Sequence, residues 1–155
     1  MTEGNSRLPA LRPETAPLRL AVSDAPRPDE FLSIRVRYEP GYVLITVAGE
    51  IDYATVTGLR ERLFALASTG RTLVADLDRV SFIDATGMGV LAGTARRAAA
   101  HGAGLHVICG RRRIRWLFGL TGLDRAVPLA ASLAEALAGT AGGTAGGVGE
   151  NAAAV

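Results

Sequence analysis

An α/β fold with a mixed sheet of four or five strands and about four helices follows from three observations. The first is strict alternation of apolar and polar residues over Leu32–Tyr38. The second is a change, after Ala48, to short apolar runs separated by segments of helical periodicity. The third is composition: 155 residues at 48% apolar suit one domain with its own core and exclude a disordered chain. Only 5% of residues are aromatic, so Leu, Val, Ile and Ala must fill the interior.

The elements follow in order. Leu32, Ile34, Val36 and Tyr38 share one face, and Ser33, Arg35 and Arg37 the other, as in a half-exposed strand. Glu39-Pro40-Gly41-Tyr42 has Pro and Gly in the central positions that a type II turn favours. Val43–Ala48, apolar apart from Thr46, reads as a buried strand antiparallel to the first. Asp52 is a candidate helix cap, and Val56, Leu59, Leu63 and Leu66 recur at helical spacing up to a stop at Gly70. Leu73–Leu77 is the next strand and residues 78–84 a loop. A helix over Thr86–Ala100 ends near Gly102, and Leu105–Cys109 is a fourth strand. Ile114, Leu117 and Phe118 predict a short helix, Ala126–Pro128 a poor edge strand, and Leu133–Ala138 a last helix. Successive crossovers after the opening hairpin imply parallel pairing.

Residues 31–138 carry this pattern. Residues 1–30, with clusters such as Arg12-Pro13 and Ala25-Pro26-Arg27-Pro28, are expected to form a flexible arm. Residues 139–155, where Thr-Ala-Gly-Gly occurs twice, are expected to form a disordered Gly/Ala-rich tail.

Composition also limits function. A single cysteine, Cys109, excludes an internal disulfide and a multi-cysteine zinc site, and His101 and His106 leave little for a metal. All 17 basic residues are Arg, yet the net charge is only +2 and no basic stripe is interleaved with aromatics, which argues against nucleic acid. No apolar run approaches a bilayer-spanning length, and the N-terminus has no uninterrupted apolar stretch of a secretory signal, so a cytoplasmic setting without membrane association is expected.

Three motifs bear on chemistry. Gly87-Met88-Gly89-Val90-Leu91-Ala92 matches the letter of a dinucleotide fingerprint. It lies in a late crossover after a long loop, and no acid lies between Asp84 and Asp124 to hold a ribose. A structural role is therefore assigned: Gly87, Gly89 and Gly93 thin one side of the helix so that it lies close to the sheet. Asp52 and Asp84 each precede a helix and are explained alone as caps. Together they fall at the C-terminal ends of strands, on one rim, where α/β folds often engage partners. Arg111-Arg112-Arg113-Ile114-Arg115 reads as a solvated surface run, with Trp116 half-buried beside it. Cys109 reads as a buried apolar residue. No Ser–His–Asp or Cys–His set emerges, so neither an enzyme nor a cofactor is expected.

Gly49-Glu50-Ile51-Asp52, then Leu73–Leu77, then the stretch from Val80 through Ile83-Asp84-Ala85-Thr86-Gly87-Met88 to Leu91, resembles the STAS domain, and within it the bacterial anti-sigma factor antagonists. The resemblance spans about residues 31–138 and includes the late stretch from Ile114 to Leu123. It implies a compact, non-catalytic binding domain that captures an anti-sigma factor, typically a serine kinase, and so frees a sigma factor for transcription. It also implies a partner surface at Asp52, Asp84, Ala85, Thr86, Gly87 and Met88. The family's phosphoacceptor is commonly a Ser or Thr directly after the aspartate; here that position is Ala85, which leaves Thr86 as the candidate phosphorylation site and implies loss of the usual off-switch. The alternative is a regulatory or scaffold STAS module in a larger signalling or transport assembly.

Overall fold

The computed structural model describes residues 31–141. The element order is β1 (Leu32–Glu39), β2 (Tyr42–Ile51), α1 (Val56–Ala67), β3 (Thr72–Ile83), α2 (Ala85–Ala100), β4 (Leu105–Ile108), α3 (Arg112–Thr121), a short 3-10 turn, β5 (Leu129–Ala130) and α4 (Leu133–Ala141). The sheet runs β1-β2-β3-β4-β5, antiparallel between β1 and β2 and parallel thereafter. The expected mixed α/β architecture is thus present, with five strands and four α-helices among the described residues.

Strand order without reversal has a consequence for layering. Right-handed crossovers taken in one direction place α1, α2 and α3 on the same face of the sheet. There Val43, Ile45 and Val47 of β2, Leu73, Ala75 and Leu77 of β3, and Leu105 and Val107 of β4 meet Leu59 and Leu63 of α1, Leu91 of α2, and Ile114 and Phe118 of α3 in the main core. Full burial of each large side chain contributes about 1.5–3 kcal/mol. Among the described residues the opposite face is covered by α4, where Ala136 and Leu137 pack on Val74, Ile108 and Ala130.

That one-sided cover corrects the reading of β2 as buried on both faces. Val43, Ile45 and Val47 are buried, whereas Leu44, Thr46 and Ala48 are half-buried because α4 reaches only the Leu44 end. Tyr38 shares a side with Leu32, Ile34 and Val36 but is 65% exposed. It lies at the strand end, with the Arg71 guanidinium 6.0 Å from its ring centroid. The turn at Pro40-Gly41 is as expected, with Gly41 at φ 90°.

Several boundaries also move. Residues 78–83, read as loop, continue β3. Polar Asp76, Asp78 and Arg79 hide the strand from hydrophobic periodicity, and its pairing with β2 is shifted at Thr46/Ala48 and Gly49/Glu50, as at a β-bulge. The edge strand falls at Leu129–Ala130, just after the expected Ala126–Pro128. Pro128 contributes its carbonyl to Val107 N–H instead. Helix α4 runs to Ala141, into the segment read as a tail. Residues 1–30 and 142–155 lie outside the described residues, and the expectations for the arm and the rest of the tail fall there.

Candidate functional site: the rim around Asp84

The extension of β3 carries Asp84 to the C-terminal edge of the sheet, beside the end of β2. Its backbone N–H donates to Ile51 O at 3.0 Å, so the two strand ends are held together. As expected, Asp84 caps α2: Oδ1 accepts from Thr86 N–H at 2.8 Å, Gly87 N–H at 3.0 Å and the Thr86 hydroxyl at 2.5 Å. The other oxygen, Oδ2, accepts from Tyr53 N–H at 3.2 Å. One carboxylate therefore binds the helix start and the neighbouring loop together. The hydroxyl of Thr86, then the donors of Gly87, Thr86 and Tyr53, hold its pKa below the ordinary 3.8 against a smaller opposing effect of burial.

Asp52 has a different role from the cap expected of it. The N-cap of α1 is Thr55. Asp52 Oδ1 accepts from Ala54 N–H at 2.9 Å and Thr55 N–H at 3.0 Å, which builds an Asx-type turn ahead of the helix. The Thr55 hydroxyl donates to Glu50 O at 2.8 Å and accepts from Asp52 N–H at 3.0 Å. The turn thrusts Tyr53 outward, 83% exposed. A lone aromatic in a loop beside two acids was the available signal for this residue, which the sequence reading missed.

The structure thus brings Asp52, Asp84, Ala85 and Thr86 to one rim, with Ala85 and Thr86 exposed. It separates Gly87 and Met88 from them. Met88 is 6% exposed and belongs to the core. A Cβ at Gly87 would lie 2.6 Å from Ile51 Cγ2 and 2.8 Å from Ile83 Cγ1, so the missing side chain lets α2 press on the ends of β2 and β3. The thinning role assigned to three glycines holds for Gly87 alone. Gly93 faces Phe64 of α1, and Gly89 faces open space.

Elsewhere, the arginine run is only partly solvated. Arg111 Nε donates to Asp78 O at 2.9 Å and Arg115 donates to Cys109 O at 3.0 Å, so both tie the start of α3 to the sheet, while Arg112 and Arg113 are exposed. Trp116 is 63% exposed rather than half-buried, because Ile114 and Phe118 are the residues that α3 turns inward. Cys109 is fully buried as expected, and burial pushes its thiol pKa up. Among the described residues no group of three His, Cys, Asp or Glu side chains is placed to hold a metal ion, and no helix is long and apolar enough to cross a membrane.

The sheet is wound in one direction after its opening hairpin and carries an aspartate-capped second helix on its rim, the architecture of a small α/β domain. The STAS domain model matches residues 33–136, and the chain belongs to that family. Within it, the chain is 33% identical over 100 residues to the anti-sigma-B factor antagonist of Bacillus subtilis, covering 64% of this chain and 92% of that protein. It is 32% identical over 93 residues to the anti-sigma-B factor antagonist of Staphylococcus aureus, covering 59% and 86%. The crystal structure of an anti-sigma factor antagonist from Mycobacterium paratuberculosis superposes with a TM-score of 0.67 at 30% identity, over 74% of this chain and 97% of that one.

Proposed function

We propose that this protein is a cytoplasmic, non-enzymatic anti-sigma factor antagonist that captures an anti-sigma factor of the serine-kinase type and so regulates sigma-factor-dependent transcription. The observation that carries this reading is the exposed ridge formed by the Asp52–Tyr53 turn and Ala85–Thr86, joined through the Asp84 carboxylate. A sheet wound in one direction opens no crevice of the kind that a reversal of strand order makes for small ligands. An exposed ridge with a projecting tyrosine suits a macromolecular partner, since tyrosine is enriched among the residues that dominate interface energies.

The partner surface is Asp52, Tyr53, Asp84, Ala85 and Thr86, with Gly87 and Met88 supporting it from beneath. Its test is a binding titration with the purified serine-kinase anti-sigma factor from the same genome. Tyr53→Ala keeps the backbone donor to Asp84 and should weaken capture by about tenfold or more without lowering Tm. Asp52→Lys removes the turn's hydrogen-bond acceptor and should abolish capture at a stability cost of about 1 kcal/mol. Normal capture by both folded variants would exclude this rim.

The second reading, a regulatory or scaffold STAS module in a signalling or transport assembly, is favoured by one observation, the absence of a hydroxyl at Ala85. Failure to bind the anti-sigma factor, with recovery of another assembly in a pull-down, would select it.

A further inference from the structure

Beside the rim, between α1 and α2, runs an open groove of about 850 Å³. Tyr53 and Thr86 of the ridge are among its lining residues, so it adjoins the ridge described above. Its lining is mixed: Val56 and Phe64 of α1 are half-buried and Val90 of α2 is 8% exposed, while Thr57, Thr86 and the charged residues add polar groups. Along α2, Gly89 contributes no side chain, and a Cβ built there would meet nothing within 4 Å. The trough is therefore unobstructed by any contact that a larger residue would have to displace.

The walls are charged. Arg60 stands on α1 and Arg96 on α2, both exposed, against the single acid Glu61. The Arg60 guanidinium lies 5.2 Å from the Phe64 ring centroid, and that of Arg97 lies 5.6 Å from the same centroid. Arg97 also donates to Ser68 Oγ at 2.7 Å. A guanidinium at such a distance from an aromatic ring is attracted to it by cation–π interaction, and guanidinium donors suit carboxylates.

We propose that this groove is a second part of the partner interface, and that it receives an acidic amphipathic helix of the anti-sigma factor. The apolar stripe of that helix would lie along Val56, the open position at Gly89 and the exposed edge of Val90, and its flanking carboxylates would meet Arg60 and Arg96. A groove between two helices accepts a helix by the ordinary helix-in-groove mode, with anchors three and four residues apart. The proposal rests on the anti-sigma reading, and the excess of positive charge selects acidic flanks.

The test is calorimetric titration of the full-length protein with the purified serine-kinase anti-sigma factor from the same genome. Gly89→Leu sets its Cβ in open space and adds bulk to the trough, and should weaken capture by about tenfold or more at an unchanged or raised Tm. Arg60→Glu combined with Arg96→Glu should weaken it by a similar factor and flatten its salt dependence. Charge reversal of an acid on the partner helix should restore that loss. Wild-type affinity in both variants, with Tyr53→Ala still defective, would overturn the groove and leave the rim standing. Self-association abolished by Gly89→Leu, with capture unaffected, would assign the groove to a second copy and overturn the proposal. No capture by the wild-type protein would remove the anti-sigma reading and the groove with it.

Discussion

The Thr86 hydroxyl donates to the Asp84 carboxylate across 2.5 Å, at the start of α2 and in full view of solvent. The contact uses the hydroxyl proton and places the oxygen beside a fixed negative charge. A phosphate on that oxygen would carry nearly two further negative charges and lose the hydrogen bond. Ala85, one residue earlier, is exposed and has no hydroxyl. Incubated with a serine-kinase anti-sigma factor and ATP, the protein should therefore stay mostly unphosphorylated and remain a constitutive binder. The Ala85→Ser variant should gain one phosphate under the same conditions. Intact-mass measurement decides the matter, and stoichiometric phosphate mapped to Thr86 in the unaltered protein would restore an ordinary phospho-switch.

Acid should act on the rim through Asp84. Its folded pKa lies below 3.8, so its contribution to stability is fully present above that value and is lost as pH falls through the folded pKa. Asn caps helices about as well as Asp but does not titrate. Asp84→Asn should lower Tm at pH 7, because an amide nitrogen replaces one of the two accepting oxygens, and should make the decline below about pH 4 shallower. Thermal melts across that range would reveal an identical decline if Asp84 had no part in it.

The glycines of the helix-start motif should respond in opposite directions. Gly87→Ala forces a Cβ against Ile51 and Ile83, and should cost about 1–3 kcal/mol despite the gain in helix propensity. Gly89→Ala meets nothing and should stabilise the protein by about 0.5–1 kcal/mol. Denaturant titration of the two variants would refute the packing argument if they shifted the midpoint alike.

A second pH effect should appear near neutrality. His106 lies on the β4 face covered by α4, within 3.6 Å of the Cβ position of Gly139, and burial lowers its pKa below 6.5. For a histidine kept neutral by folding, the unfolded chain takes up the proton first as pH falls below 6.5. Stability should drop from that point until the folded pKa is reached, and then level. His106→Gln should flatten this part of the profile in melts between about pH 7 and 5.

Domain limits are open to proteolysis. A resistant core near residues 31–138 is expected, extended toward Ala141 by the last turn of α4, where the Thr140 hydroxyl donates to Leu137 O at 2.6 Å. Mass analysis of the limit digest would contradict this if residues 5–20 were protected as strongly as β2.

The opening hairpin, the helix of Leu59, Leu63 and Leu66, and the cap at Asp84 were legible in the sequence because each rests on local chemistry. Alternation, 3.6-residue periodicity, a Pro-Gly turn and a side chain bonding two residues ahead need no distant partner. The outward half of β3 was not legible, since Asp78 and Arg79 interrupt the pattern of a strand whose pairing is shifted against β2. Nor was the inward turn of Met88, because periodicity gives the spacing of a helix and not which flank the sheet will cover.

By itself, then, the chain's order of residues determined the elements, their α/β alternation and the aspartates that begin the rim, all of which follow from forces acting over a few residues. Tertiary structure alone decided that Asp84 reaches across to Tyr53 and that Arg60 and Arg96 line one open groove between α1 and α2. Those relations join residues about 30 positions apart or more. They exist only once burial of Val43, Ile45, Leu59 and Leu73 has brought β2, α1, β3 and α2 into contact.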